Sequence, residues 1–256
     1  MPTTLLRGIA LAALLSISAC QTMAAPPTAT SPWIVSAVAD PARPAADTVR
    51  DADRKPAEMI AFGEVHPGEK IGELIPGGGY MTRILSKAVG PTGKVYVFAS
   101  QPVQREGQPP PAAPVAAIVA DTANYGNVQV VISNFATIAN PEPLDMVWTS
   151  QNYHDMHNPG RNLDINAANK AVLAALKPGG VYIVLDHQSA KGVDFDDKLH
   201  RIDKDRVKKE VLAAGFTFVS ESSVLHNPND DGTKMVFDPA IRGKTDQFIL
   251  KFKKPG

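Results

Sequence analysis

Ile71-Gly72-Glu73-Leu74-Ile75-Pro76-Gly77-Gly78-Gly79-Tyr80 carries the chain from an apolar run through three glycines toward a helix. Lys70 to Ile75 reads as a short apolar strand. The glycines Gly77 to Gly79 follow, and then Met81, Ile84, Leu85 and Ala88 recur on one helical face. A strand that runs through a glycine turn into a helix has a physical use. Glycine takes positive φ angles without strain and lets the backbone approach a ligand closely. Gly90-Pro91-Thr92-Gly93 ends the helix, and Lys94 to Ala99 is a second strand.

The same alternation continues downstream. Gln101 to Pro114 is an insert too proline-rich for a helix or an inner strand. A short helix around Val115 to Ala120 leads to strands at Val128 to Ser133 and Leu144 to Ser150. Asp164 caps a helix with Ala168, Val172, Ala175 and Leu176 on one stripe, which Lys177-Pro178-Gly179-Gly180 stops. Val181 to Leu185 is a continuous apolar run, as in a strand covered on both faces. Asp203 caps another helix with Val207, Val211 and Ala214 facing inward, and Gly215 closes it. Phe216 to Val224 and Gln247 to Lys253 alternate apolar and polar residues and suit a final antiparallel pair. The pattern predicts an α/β fold: a Rossmann-like sheet, mostly parallel with a terminal antiparallel hairpin, and helices on both faces.

This domain spans residues 63–256. Residues 26–62 read as a tether followed by a helical extension, broken at Pro41 and Pro44 and lying over the core. Residues 1–25 read as a signal segment, with Arg7 before a Gly8 to Ile17 apolar run far short of the ~20 residues of a membrane span. Ile17-Ser18-Ala19-Cys20 resembles the lipobox of bacterial lipoproteins, in which the cysteine is acylated and becomes the new N-terminus. That reading predicts an exported, periplasmic protein. A lipid on Cys20 tethers it to the membrane, and Gln21 in place of Asp favours the outer membrane. The competing reading is an ordinary signal cleaved after Thr22-Met23-Ala24. Cys20 is the only cysteine, so no intrachain disulfide forms. The chain has 256 residues, 26 basic and 26 acidic, which leaves no electrostatic footprint for nucleic acid. Lys251, Lys253 and Lys254 read as a solvated chain end.

The glycine stretch resembles the first nucleotide-binding loop of class I S-adenosylmethionine-dependent methyltransferases. Leu144-Asp145-Met146-Val147 resembles the start of that family's fourth strand, and Leu176 to Val181 the turn before its fifth. Asn227 to Asp231, Val236 to Pro239 and Arg242 to Asp246 resemble a narrower group of exported predicted methyltransferases. The resemblance covers nearly all of the mature chain and implies S-adenosylmethionine as cofactor. It places Glu73 at the methionine ammonium and Pro76, Gly77, Gly78 and Gly79 around the methionine end. Ser100 and Gln101 stand near the ribose. Asn134 would hydrogen-bond adenine, and Phe135 would stack on it. The chain departs from the family pattern at Ile75, in the first glycine position, and at Pro76, which stiffens the turn. The end of the second strand also lacks the usual ribose-binding acid; Glu106 lies beyond it, in the insert. Neutral hydrogen bonds from Ser100 or Gln101 are about half as strong as charge-assisted ones.

The fourth strand ends in Thr149-Ser150-Gln151-Asn152-Tyr153-His154-Asp155-Met156-His157, where open α/β sheets bind ligands. Candidate catalytic residues are Asn152, to position substrate, His154, to accept a proton, and Asp186 after the fifth strand. The competing reading is a polar loop with His154 bonded to backbone. His154, Asp155, His157, Asp186 and His187 also offer metal-type ligands, but their spacing defines no site, and none is expected. Asp230, Asp231 and Asp238 read as turn and ion-pair residues, with Arg242 as partner. Two functions remain open. One is a methyltransferase acting on a small or envelope-associated substrate. The other is a non-catalytic exported ligand-binding protein that retains the fold, since S-adenosylmethionine is made in the cytoplasm.

Overall fold

The structure, a computed structural model, describes Met1 and residues 31–102, 113 and 115–256. The signal segment with Cys20 and most of the proline-rich insert with Glu106 lie outside the described residues. Among the described residues no helix is long and apolar enough to cross a membrane.

The extension forms four short helices, α1 (Pro32–Val38), α2 (Ala45–Thr48), α3 (Asp51–Arg54) and α4 (Pro56–Gly63). Pro56 disfavours the α conformation at the residue before it, and Lys55 turns left-handed at φ 45°, dividing α3 from α4. The extension belongs to the core. Ile34, Ala37, Met59 and Ile60 are buried, and the Trp33 indole donates to the Val65 carbonyl at 2.9 Å.

The domain proper runs β1 (Lys70–Leu74), α5 (Tyr80–Val89), β2 (Lys94–Ala99), α6 (Ala116–Ala120), α7 (Thr122–Tyr125) and β3 (Val128–Ile132). Then come β4 (Leu144–Ser150), α8 (Tyr153–Met156), α9 (Ile165–Ala175), β5 (Leu176–His187), β6 (Phe195–Asp196) and β7 (Arg201–Ile202). The chain finishes with α10 (Lys204–Ala213), β8 (Thr217–Ser222) and β9 (Gln247–Lys253). Seven strands form the main sheet in the order β3-β2-β1-β4-β5-β9-β8. The first five are parallel, and β9 runs antiparallel to both β5 and β8. The expected sheet is present, finished by the expected antiparallel pair.

Both faces are covered, as period-two alternation requires. Val95, Val97, Met146, Trp148, Ile183 and Ile249 pack under α1, α4 and α5. Tyr96, Phe98, Val147, Tyr182, Val184 and Phe252 pack under α9 and α10. The Asp164 side chain accepts from the Ala167 N–H and the Asp203 side chain from those of Asp205 and Arg206, so both expected caps form.

Three expectations need correction. Leu176 is extended and begins β5, because Gly179 and Gly180 continue the pairing past β9 through Lys254. Lys251 is buried: β9 is an inner strand, and the Lys251 amine reaches Glu64 at 2.5 Å, while the Lys254 amine donates to the Leu176 carbonyl. Asp230 pairs with the buried Arg201 rather than with Arg242.

Candidate cofactor cleft and histidine cluster

The chain leaves β1 toward β2 and β3 on one side, then returns to place β4 on the other. The carboxyl ends of β1 and β4 therefore flank the switch point, where such sheets leave a crevice. The turn after β1 takes three left-handed residues, Ile75 (φ 52°), Gly77 (φ 55°) and Gly79 (φ 81°). A β-branched residue in that region is strained by about 1–3 kcal/mol and needs support. Ile75 donates its N–H to the Phe98 carbonyl, and its own carbonyl accepts from the Asn152 amide, both at 2.9 Å. Asn152 also donates to the Ser150 carbonyl, so its amide N–H groups brace the turn.

A cavity of about 190 Å³ opens above this turn. Pro76, Gly77 and Gly78 form its floor with Glu73 at its base, Gln151 and Asn152 come from the end of β4, and Arg50 and Arg54 come from the extension. A Cβ added at Gly77 or Gly78 would meet no protein atom within 4 Å, whereas at Gly79 it would lie 2.3 Å from Ile118. Gly79 is thus a packing glycine, and the other two present bare backbone to the cavity.

Glu73 lies under that floor at 3% exposure and accepts from the Thr82 hydroxyl at 2.5 Å. Burial pushes its carboxyl up to about 8, against the opposing pull of Thr82 and Arg54. The Arg54 guanidinium stacks 4.3 Å from the centre of the Tyr80 ring and donates to Gln151 at 2.5 Å. Arg50 stands 4.9 Å from the same ring, and the Tyr80 hydroxyl donates to Asp51, the partner of Arg43.

A second cavity, of about 500 Å³, lies at the ends of β2 and β3. Ser100, Gln101, Asn134, Phe135 and Arg161 line it. Asn134 is exposed, with its side-chain oxygen taken by the Thr137 N–H. Phe135 is 4% exposed and packs into the core, so it forms wall rather than an open stacking face. The residues expected to hold a cofactor thus fall along one edge of the sheet, in two adjoining groups.

The candidate catalytic residues do not share one place. His154 and Asp186 line neither cavity. They meet each other, with His154 Nδ1 2.7 Å from one oxygen of the fully buried Asp186 and the His154 N–H 2.7 Å from the other. Burial alone would lower the His154 imidazole, but the Asp186 charge and hydrogen bond outweigh it and hold it above its ordinary value. Burial would likewise raise Asp186, and His154 holds it below the usual carboxylate range. His187 lies against this pair, kept neutral by burial, which pushes it down to about 3; its Nδ1 meets the Thr245 hydroxyl at 2.7 Å. His157 turns away to Glu210 at 3.0 Å. His200, which the sequence did not single out, comes in instead: Asp155 Oδ1 lies 3.5 Å from His154 Nε2 and 3.7 Å from His200 Nδ1.

No protein-family model and no curated protein matches the chain. Solved structures do. A SAM-dependent methyltransferase from Aquifex aeolicus is similar at TM-score 0.54 and 16% identity, over 80% of this chain and 98% of its own. The chain has the class I methyltransferase fold. The N-methyltransferase NodS from Bradyrhizobium japonicum shares it at TM-score 0.51 and 13% identity, over 82% and 99% of the two chains. So does the [4+2]-cyclase SpnF, at TM-score 0.54 and 16% identity, over 82% and 81%. The methyltransferase fold therefore carries more than one chemistry, and function has to be argued from the site.

On that fold the sequence reading missed Arg50, Arg54, Arg161 and His200. The first two sit in the charged part of the helical extension, where no motif marks them. His200 lies 46 positions beyond His154. Only the return of the chain through β7 joins them, and no local spacing could reveal that.

Proposed function

We propose that the protein binds S-adenosylmethionine along the β4-β1-β2-β3 edge and transfers its methyl group to a small or envelope-associated acceptor. The observation that carries this reading is the bare backbone of Gly77 and Gly78 above a buried acid, in a fold shared with methyltransferases. The residues present fit the cofactor. Glu73 would receive the methionine ammonium, and Arg50 and Arg54 would face its carboxylate. Gln101 and Ser100 would hold the ribose hydroxyls, and Asn134 an adenine edge. When bound, S-adenosylmethionine supplies an electrophilic methyl on a sulfonium; the protein's part is to hold it and to shape the acceptor side.

The absence of an acid from Val97 to Gln101 favours a second reading, a ligand-binding protein that keeps the fold without turnover. Titration of wild type and Gln101→Glu with S-adenosylmethionine tests the cofactor assignment. A carboxylate at this position should tighten binding roughly five- to tenfold, since charged hydrogen bonds gain about 1 kcal/mol over neutral ones. Unchanged affinity would mean that the ribose does not lie there. Labelled methyl transfer to an envelope extract separates enzyme from binder.

We further propose that the chain is exported and tethered through a lipid on Cys20. Mass spectrometry of the native N-terminus should find an acylated Cys20, and an unacylated chain starting near Ala25 would exclude the tether.

A further inference from the structure

Beyond the residues that line the cleft, the chain after β4 and the turn into β7 converge on one point. One ligand atom from each of His154, Asp155 and His200 lies within 4.8 Å of the others. Asp155 Oδ1 lies 3.5 Å from His154 Nε2 and 3.7 Å from His200 Nδ1. In tetrahedral zinc sites, bonds of about 2.0–2.1 Å set neighbouring ligand atoms roughly 3.3–3.5 Å apart. Two edges of such a site are therefore nearly at length. We propose that His154, Asp155 and His200 bind a divalent transition ion of the zinc class, with a fourth position open.

Three further observations support the assignment. Asp186 sits where a zinc-bound histidine needs its outer partner: fully buried, it takes the Nδ1 side of His154 and leaves Nε2 facing Asp155. Such carboxylate–histidine pairs fix the ring and raise its basicity toward the metal. On the opposite side, His200 is held left-handed at φ 58°, beside Arg201. Arg201 is fully buried and tied to Asp230, the Gln188 carbonyl and the Lys234 carbonyl, so the strained backbone is fixed from several sides. The Phe237 ring packs edge-on against His200 at 5.1 Å and gives the site an apolar rim. Two imidazoles and one carboxylate suit zinc, cobalt or nickel better than magnesium or calcium, which prefer oxygen alone.

With the ion in place His154 is a ligand rather than a base. The assignment stands on the cluster and does not need the methyltransferase reading. Where both hold, an oxygen or sulfur acceptor taking the open position would lose its proton more readily.

The test uses the full chain, stripped with chelator and then titrated with zinc or cobalt. Wild type should retain one ion per chain through dialysis and melt at higher temperature with zinc. The cobalt form should show the visible bands of a four-coordinate ion without a thiolate charge-transfer band, which separates this site from Cys20. His200→Asn is the sharpest variant, because asparagine tolerates the left-handed backbone. It should keep the zinc-free melting temperature and lose both the ion and the zinc-induced rise. Asp155→Asn should lose stoichiometric binding, and Asp186→Asn should bind roughly 10- to 100-fold more weakly. A wild type that takes up no stoichiometric ion would overturn the proposal. So would folded His200→Asn and Asp155→Asn proteins that bind zinc as wild type does.

Discussion

Glu73 and Ile75 stand two positions apart and teach opposite lessons. The acid at the end of β1 was legible from the sequence, but its protonation was not, since that follows from burial the fold imposes. Its folded-state value of about 8 lies above the ordinary 4.5. Between those values the folded state holds a proton that the unfolded state has released, so this contribution to stability falls as pH rises through the window. Glu73→Gln should therefore flatten the pH dependence of urea stability between about pH 4.5 and 8. It should also be more stable than wild type at pH 8 and above; parallel profiles would contradict the burial argument. The same logic governs ligand binding. A cofactor ammonium favours the carboxylate, so affinity should rise toward pH 8 with proton release, visible as a buffer-dependent heat. Ile75 occupies a left-handed position that the sequence marked only as a departure from the glycine pattern. Relief of that strain should make Ile75→Gly at least as stable as wild type, despite the added freedom of the unfolded chain. A drop of more than about 1 kcal/mol would mean that its packing outweighs the strain.

Among the elements, the apolar runs were readable: β4 and β9 lie at the bounds the sequence placed for them, although β9 is buried along nearly its whole length rather than on alternate residues, and Asp164 and Asp203 cap their helices. Short or long-range pieces were not. The two-residue strands β6 and β7 carry no period, and α7 is a single turn between α6 and β3. The segment between β8 and β9 read as turns with scattered acids. Its order comes from Asp230, which binds buried Arg201 and also accepts from the Gly232 and Asp246 N–H groups. Removing one partner of a buried ion pair leaves an unpaired charge, at about 3–5 kcal/mol. Asp230→Ala should lose that much in denaturant unfolding, whereas Asp231→Ala, in the exposed part of the same loop, should lose far less. Equal losses would mean that Arg201 finds another partner.

For the whole molecule, the sheet order and its switch point decide where ligands go, and the N-terminal extension decides what meets them there. Arg54 reaches from α3 to Gln151 at the end of β4, across the cavity over Gly77 and Gly78. The glycine turn announced that cavity in the sequence; the arginines that roof it did not, because their role depends on how the α3 segment packs on the Tyr80 ring at the start of α5. In the proposed function this roofed cavity holds the methionine end of S-adenosylmethionine. Calorimetric titration of wild type and Gly78→Val with S-adenosylmethionine and with its demethylated product decides that placement. The valine side chain meets no protein atom near its Cβ, so the variant should fold and fill only the ligand's space. Both compounds should bind wild type saturably, and neither should bind folded Gly78→Val. A folded wild type that binds neither compound at millimolar concentration, or a Gly78→Val that binds both as wild type does, would contradict that placement.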